Sequence, residues 1–180
     1  MGRRVIIGAF FAAIFFVFIA HADFIKSFSW ASDPVKPKSF PIQSYRLGMP
    51  IDGVKGMVEL STEEYKIFPK TFQDEKIYKT PNVLFLGFSW DMMIGAVGKK
   101  IYKMNPGIVT KNEKLANEVS IKTLEYCKSK LGDPVDEKIG RVIWDTEDGN
   151  VILQTGETEE GFAIFLFIAS REAKNYKTLN

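Results

Sequence analysis

The sequence predicts an α+β domain, an antiparallel β-sheet with one long amphipathic helix, about residues 111–131, packed on it. Three observations carry that expectation. Lys76 to Met104 is rich in β-branched and aromatic residues, apolar residues recur at helical spacing from Leu115 to Leu131, and Phe162 to Ala169 is apolar at every position.

At the N-terminus, Arg3 and Arg4 precede an unbroken apolar run from Val5 to Ala20, and Ala20-His21-Ala22 offers small residues where a signal peptidase reads them. The run is shorter than the about 20 residues a membrane-spanning helix needs, so residues 1–22 read as a signal peptide cleaved after Ala22. A retained N-terminal anchor is the alternative. N-terminal sequencing of the protein exported by its producing cell is expected to begin Asp23-Phe24-Ile25; a chain that still begins at Met1 contradicts the cleavage.

Residues 23–39 hold Pro34, Pro37 and four serines without a sustained period and read as a flexible lead-in. A single α+β domain is expected over 40–170, followed by a polar tail at 171–180. Within it, Ser61-Thr62-Glu63-Glu64 has capping-box spacing and Pro69 ends the segment, which suits a short helix or a strand. The segment 76–104 reads as two or three strands with a hairpin turn near Gly98.

Thr110 and Glu113 have capping-box spacing at the start of the long helix, and Gly132 with Pro134 closes it. Leu115, Ala116, Val119, Leu124, Cys127 and Leu131 share one face, and Glu118 with Lys122 has the favourable i, i+4 order on the other. After the helix, Arg141 to Trp144, Asn150 to Thr155 and Phe162 to Ala169 predict a three-strand antiparallel meander whose last strand is central or covered on both faces. The pattern L-G-x-P-(I/V)-D occurs at Leu47–Asp52 and again at Leu131–Asp136. It marks either a duplicated unit or a stop signal shared by two element ends.

Cleavage removes two of 24 basic residues and none of the 22 acidic ones, so the mature net charge is zero. A neutral chain without a basic cluster is poorly suited to nucleic acid, whose binding depends on neutralising phosphates. The single histidine, His21, leaves with the signal, which excludes Ser-His-Asp and Cys-His catalysis and zinc sites built on Cys and His. Cys127 is the only cysteine, so no intramolecular disulfide supports the fold. The 158 residues that remain suffice for a core that buries roughly two-thirds of the unfolded surface.

Several motifs have a chemical and a structural reading. Gly87-Phe88-Ser89-Trp90-Asp91 lacks the last glycine of the G-x-S-x-G elbow and any histidine, and reads as a strand with Ser89 outward. Gly95 to Lys100 fails the phosphate-loop spacing and reads as a hairpin turn with solvated lysines. Asp145, Glu147 and Asp148, with Glu157, Glu159 and Glu160, read as two solvated turns; weak Ca²⁺ binding and glycosidase chemistry are their alternatives. Cys127 reads as a buried hydrophobe, Trp90 and Trp144 as core, and Trp30 as exposed. No catalytic, cofactor-binding or metal residue is assigned, and no cofactor is expected.

The order of a helix ending in Leu131-Gly132-Asp133-Pro134, a strand carrying Trp144, an acidic turn and two further strands resembles small bacterial envelope proteins of unknown function. Over about 112–169 it is also similar to outer-membrane assembly lipoproteins of the SmpA/OmlA type, though this chain lacks their lipidated cysteine. The resemblance implies a non-catalytic protein-binding module. The expectation is therefore a secreted or periplasmic protein that acts as a binding or scaffold module of the bacterial cell envelope. Its partner would be another envelope protein, with no nucleic acid and no stable membrane insertion after cleavage. A carboxylate-dependent hydrolase of an envelope or extracellular glycan is the alternative.

Overall fold

The structure, a computed structural model, describes residues 40–54, 56–61, 63–64 and 70–173. The signal segment, the lead-in with Trp30, and residues 174–180 lie outside the described residues. Phe40, where the folded part is expected to start, is buried and meets Tyr126 edge-on.

In chain order the elements are β1 (Val58–Glu59), β2 (Lys76–Phe85), β3 (Phe88–Val97), β4 (Lys100–Thr110), α1 (Glu113–Leu131), β5 (Asp136–Lys138), β6 (Arg141–Asp145), β7 (Gly149–Thr158) and β8 (Gly161–Ser170). The strands form one eight-stranded sheet in the order β1-β2-β3-β4-β8-β7-β6-β5, antiparallel at every junction. Two four-strand meanders thus join through their last strands. The α+β expectation holds in this form, with the sheet as the dominant part.

Turn chemistry explains the hairpins. Leu86-Gly87 and Gly98-Lys99 each place two successive residues at positive φ, the geometry whose twist matches that of paired strands. Gly98 is the turn expected from sequence, and Ser89 lies exposed on β3, its hydroxyl donating to Asn82 Oδ1 at 3.2 Å. The strand after Gly98 runs six residues beyond the expected Met104, through Pro106 and Gly107. Pro106 lacks an N–H, and the β4–β8 ladder skips Asn105 and Pro106 while keeping its register from Met104↔Ile168 to Gly107↔Phe165. The edge strands β1 and β5, two and three residues long, carry too little pattern to be read from sequence.

The long helix begins at Glu113, not Lys111. Because β4 continues to Thr110, the N-cap is Asn112, whose side chain accepts from Leu115 N at 3.1 Å, while Thr110 Oγ1 accepts from Asn112 N. The Thr110/Glu113 capping box is therefore corrected to an asparagine cap two residues later. Glu118 and Lys122 pair at 2.8 Å as their spacing implies. Ala116, Val119, Thr123, Cys127 and Leu131 are buried against the sheet. Thr123 belongs there because its hydroxyl donates to Val119 O at 2.6 Å, which satisfies the group without water.

Ser61 and Glu64 do form a reciprocal cap: Ser61 N donates to Glu64 Oε2 at 2.8 Å, and Glu64 N donates to Ser61 Oγ at 3.4 Å. Lys79 of β2 donates to the same carboxylate and, with Ser61, holds its pKa near about 2, below the ordinary 4.5. The unfolded carboxyl takes up a proton at higher pH than the folded one. This contribution to stability is therefore complete above pH 4.5 and is lost as the pH falls toward about 2. With the side chain about a third exposed, solvent limits it to about 1 kcal/mol. The stability difference between wild type and Glu64→Gln in urea is expected to narrow between about pH 6 and about pH 3; an unchanged difference contradicts the pairing.

The main core lies between α1 and the sheet, with Trp90, Met92, Ile94, Met104, Trp144, Ile164, Leu166 and Ile168. Both tryptophans expected in the core are there; their indoles donate to Phe85 O at 2.9 Å and to Gly132 O at 3.1 Å. Residues 163, 165 and 167 of β8 form a separate cluster with Val109 and Ile152. This explains why β8 is apolar at every position: it lies inside the sheet and is buried on both faces.

Gly48 and Gly132, the glycines of the repeated L-G-x-P pattern, have φ of 78° and 76°. The first leads to a 3-10 turn at Ile51–Gly53 and the second leaves α1 for β5, so the copies share a turn device and lead into different structures. The chain after β8 stays docked further than its polarity suggests. Arg171 pairs with Asp145, and Ala173 is buried beside Val97 and Tyr102.

Candidate functional site

The two acidic groups singled out from sequence occupy opposite ends of β7. Asp145, Glu147 and Asp148 lie at the β6–β7 turn, Glu159 and Glu160 at the β7–β8 turn, separated by a ten-residue strand, roughly 30 Å. No carboxylate of one group reaches the other. The first turn is closed by Thr146, whose N–H donates to Gly149 O at 2.8 Å, and Asp145 is engaged by Arg171. Asp148 titrates above its ordinary range, first from burial and then from the neighbouring charges of Glu147 and Glu172. Among the described residues no group of three or more His, Cys, Asp or Glu side chains is close enough to share a metal ion. Cys127 is fully buried, and burial pushes its thiol up to about 12, far from thiolate chemistry.

A depression of about 260 Å³ lies by the β3–β4 turn, lined by Ile51, Asp52, Tyr78, Ala96, Lys99 and Asp74 among others. Its charges are rim charges. Asp52 and Lys99 stand 3.8 Å apart with side chains 72% and 78% exposed, so water rather than the protein solvates them.

A buried ionic cluster, not legible as a site in the sequence, sits on the other side of the β2 entry. Glu75 is fully buried; its Oε2 accepts from Thr71 N at 2.5 Å and Phe72 N at 3.3 Å, and its Oε1 is 2.6 Å from Lys103 Nζ. Lys103 reaches it because its stem crosses Gly95, where a Cβ would lie 2.5 Å from Lys103 Cε. Phe72 closes the cluster edge-on against Tyr102 at 5.2 Å. Burial lowers the Lys103 pKa, against the opposing attraction of Glu75, and raises that of Tyr102. Through the Glu75 carboxylate the buried Lys103 of β4 is tied to the 70–75 segment. The one sequence signal for it was a charged residue between Tyr102 and Met104 in an apolar strand.

The exposed apolar side chains have a simpler distribution. Among the described residues, five large hydrophobic side chains are more than half exposed, and four of them mark the two ends of the sheet. Val58 and Leu84 lie along the β1–β2 edge; Val135 and Ile139 bracket β5 at the other. β1 pairs only with Lys79 and Tyr78, and further along β2 the Leu84 carbonyl accepts from Gln43 Nε2 while its side chain stays exposed.

The chain matches no known protein family, no curated protein and no solved structure. Geometry alone bears on its function. It sets a solvated, shallow depression and a sealed ion pair against two sheet edges that present apolar side chains to solvent.

Proposed function

We propose that the chain is a non-catalytic binding or scaffold module of the bacterial cell envelope, exported through its N-terminal signal, with another envelope protein as its partner. The observation that carries this reading is the placement of exposed Val58 and Leu84 along an edge where β1 covers only two residues of β2. A sheet edge supplies backbone hydrogen bonds to an added strand, and apolar side chains beside it supply the contact area. The order of α1, Leu131-Gly132-Asp133-Pro134 and β6–β8, on which the likeness to SmpA/OmlA-type proteins rests, supports the same reading.

Affinity capture from the envelope fraction tests it, with wild type beside a Val58→Ser/Leu84→Ser variant. One envelope protein enriched by wild type and lost by the variant is the expected result. Equal enrichment by both, or none by wild type, contradicts it.

A further inference from the structure

The opposite edge of the sheet carries a self-complementary sequence. Val135-Asp136-Glu137-Lys138-Ile139 runs along and just beyond β5, the last strand in the sheet order. Strand alternation within β5 puts Asp136 and Lys138 on one face and Glu137 on the other, with Val135 just before the strand and Ile139 in the turn to β6. Asp136 and Lys138 lie 3.4 Å apart on their shared face. Glu137 is held by Lys128 of α1 at 3.2 Å, so its charge is offset within its own chain.

We propose that β5 pairs antiparallel with β5 of a second copy of this chain about a two-fold axis through Glu137, and so joins two eight-stranded sheets. In that register each Asp136 stands opposite the partner's Lys138, and the face becomes a square of alternating charges. Val135, half exposed in the single chain, and Ile139, fully exposed, flank the paired strands at either end. The two glutamates meet across the axis, each with its own Lys128. Such an interface is isologous, as a two-fold dimer requires. The inference shares with the proposed function the view that sheet edges are contact surfaces, but it assigns the edge away from Val58 and Leu84.

Charges on an edge strand also serve to keep other strands away, and the two roles give opposite results. The test uses the protein as its producing cell processes it, with Asp136→Lys and Lys138→Asp made singly. Self-association, read by sedimentation and native mass spectrometry over a concentration series, is expected for wild type. Each single reversal places like charges opposite each other twice and is expected to weaken it about tenfold or more. Mixed in equal amounts, the two variants are expected to form a heterodimer, because a strand carrying two lysines then faces a strand carrying two acidic side chains. Unchanged melting temperatures of the separate variants confirm that they fold. A monomeric wild type at every concentration, or a dimer insensitive to the reversals and without heterodimer preference, overturns the pairing. Neither outcome affects capture of an envelope protein through Val58 and Leu84, so the two readings fail separately.

Discussion

Replacing Glu75 by Ala is expected to destabilise the protein by about 3–5 kcal/mol, because it leaves Lys103 buried without its counter-charge and frees the N–H groups of Thr71 and Phe72. The loss comes from stranding a charge, not from a large net value of the pair. Glu75→Leu with Lys103→Met is therefore expected to return most or all of it, since an apolar pair of similar volume needs no desolvation. Urea unfolding of the three proteins separates these terms; a double variant as unstable as Glu75→Ala contradicts the explanation.

The same pair sets a pH dependence. Burial holds the Lys103 pKa below 10.5 in the folded state, so the unfolded chain binds that proton more tightly and the Lys103 contribution to stability rises as pH climbs toward 10.5. In Glu75→Gln the attraction opposing the shift is gone, and the rise is expected to be steeper. Tyr102 acts the other way above its ordinary 10.0, because its raised pKa lets the folded state keep a proton the unfolded chain releases. The comparison of wild type and Glu75→Gln therefore belongs between about pH 7 and about pH 9.

The second large effect is expected at Gly149. A Cβ there would lie 1.8 Å from Ala169 O, a backbone atom of the neighbouring strand that cannot rotate away. Gly149→Ala must separate β7 from β8 near the Thr146 turn, at a cost of about 3 kcal/mol or more. Gly87→Ala is the control. It has φ of 83° with nothing within 4 Å of its Cβ, so only left-handed strain of about 1–2 kcal/mol is expected. Equal losses at the two positions in thermal or urea unfolding would contradict the steric argument.

Gly149 also shows where sequence reasoning reaches its limit. Asp148-Gly149 reads as a turn signal, yet the glycine is required by an approach between strands twenty residues apart, which no local pattern records. The long helix, the Gly98 turn and the C-terminal meander were legible because their periodicity and punctuation are local. Even so, the helix cap moved from Thr110 to Asn112 because β4 ran further than its composition suggested through Pro106. β5 went unread: three charged residues have no apolar alternation, and only its pairing with β6 makes it a strand. The Glu75–Lys103 pair joins elements far apart in sequence, and Glu75 by itself looks like any solvated carboxylate. Asp52 and Asp74 share a depression for the same reason of topology. The exposed edge residues were hidden most deeply, since Val58 and Leu84 have the composition of core and only the strand order places them at one end of the sheet.

Site-directed photo-cross-linking in the living producing cell tests the central claim most directly. A photoreactive phenylalanine is placed at Val58 or Leu84, and at Glu159 on the β7–β8 turn as the control. Cross-links to one envelope protein from positions 58 and 84 and none from 159 are the expected result. No cross-link from either edge position, or the same adducts from all three, would contradict the edge as a binding surface.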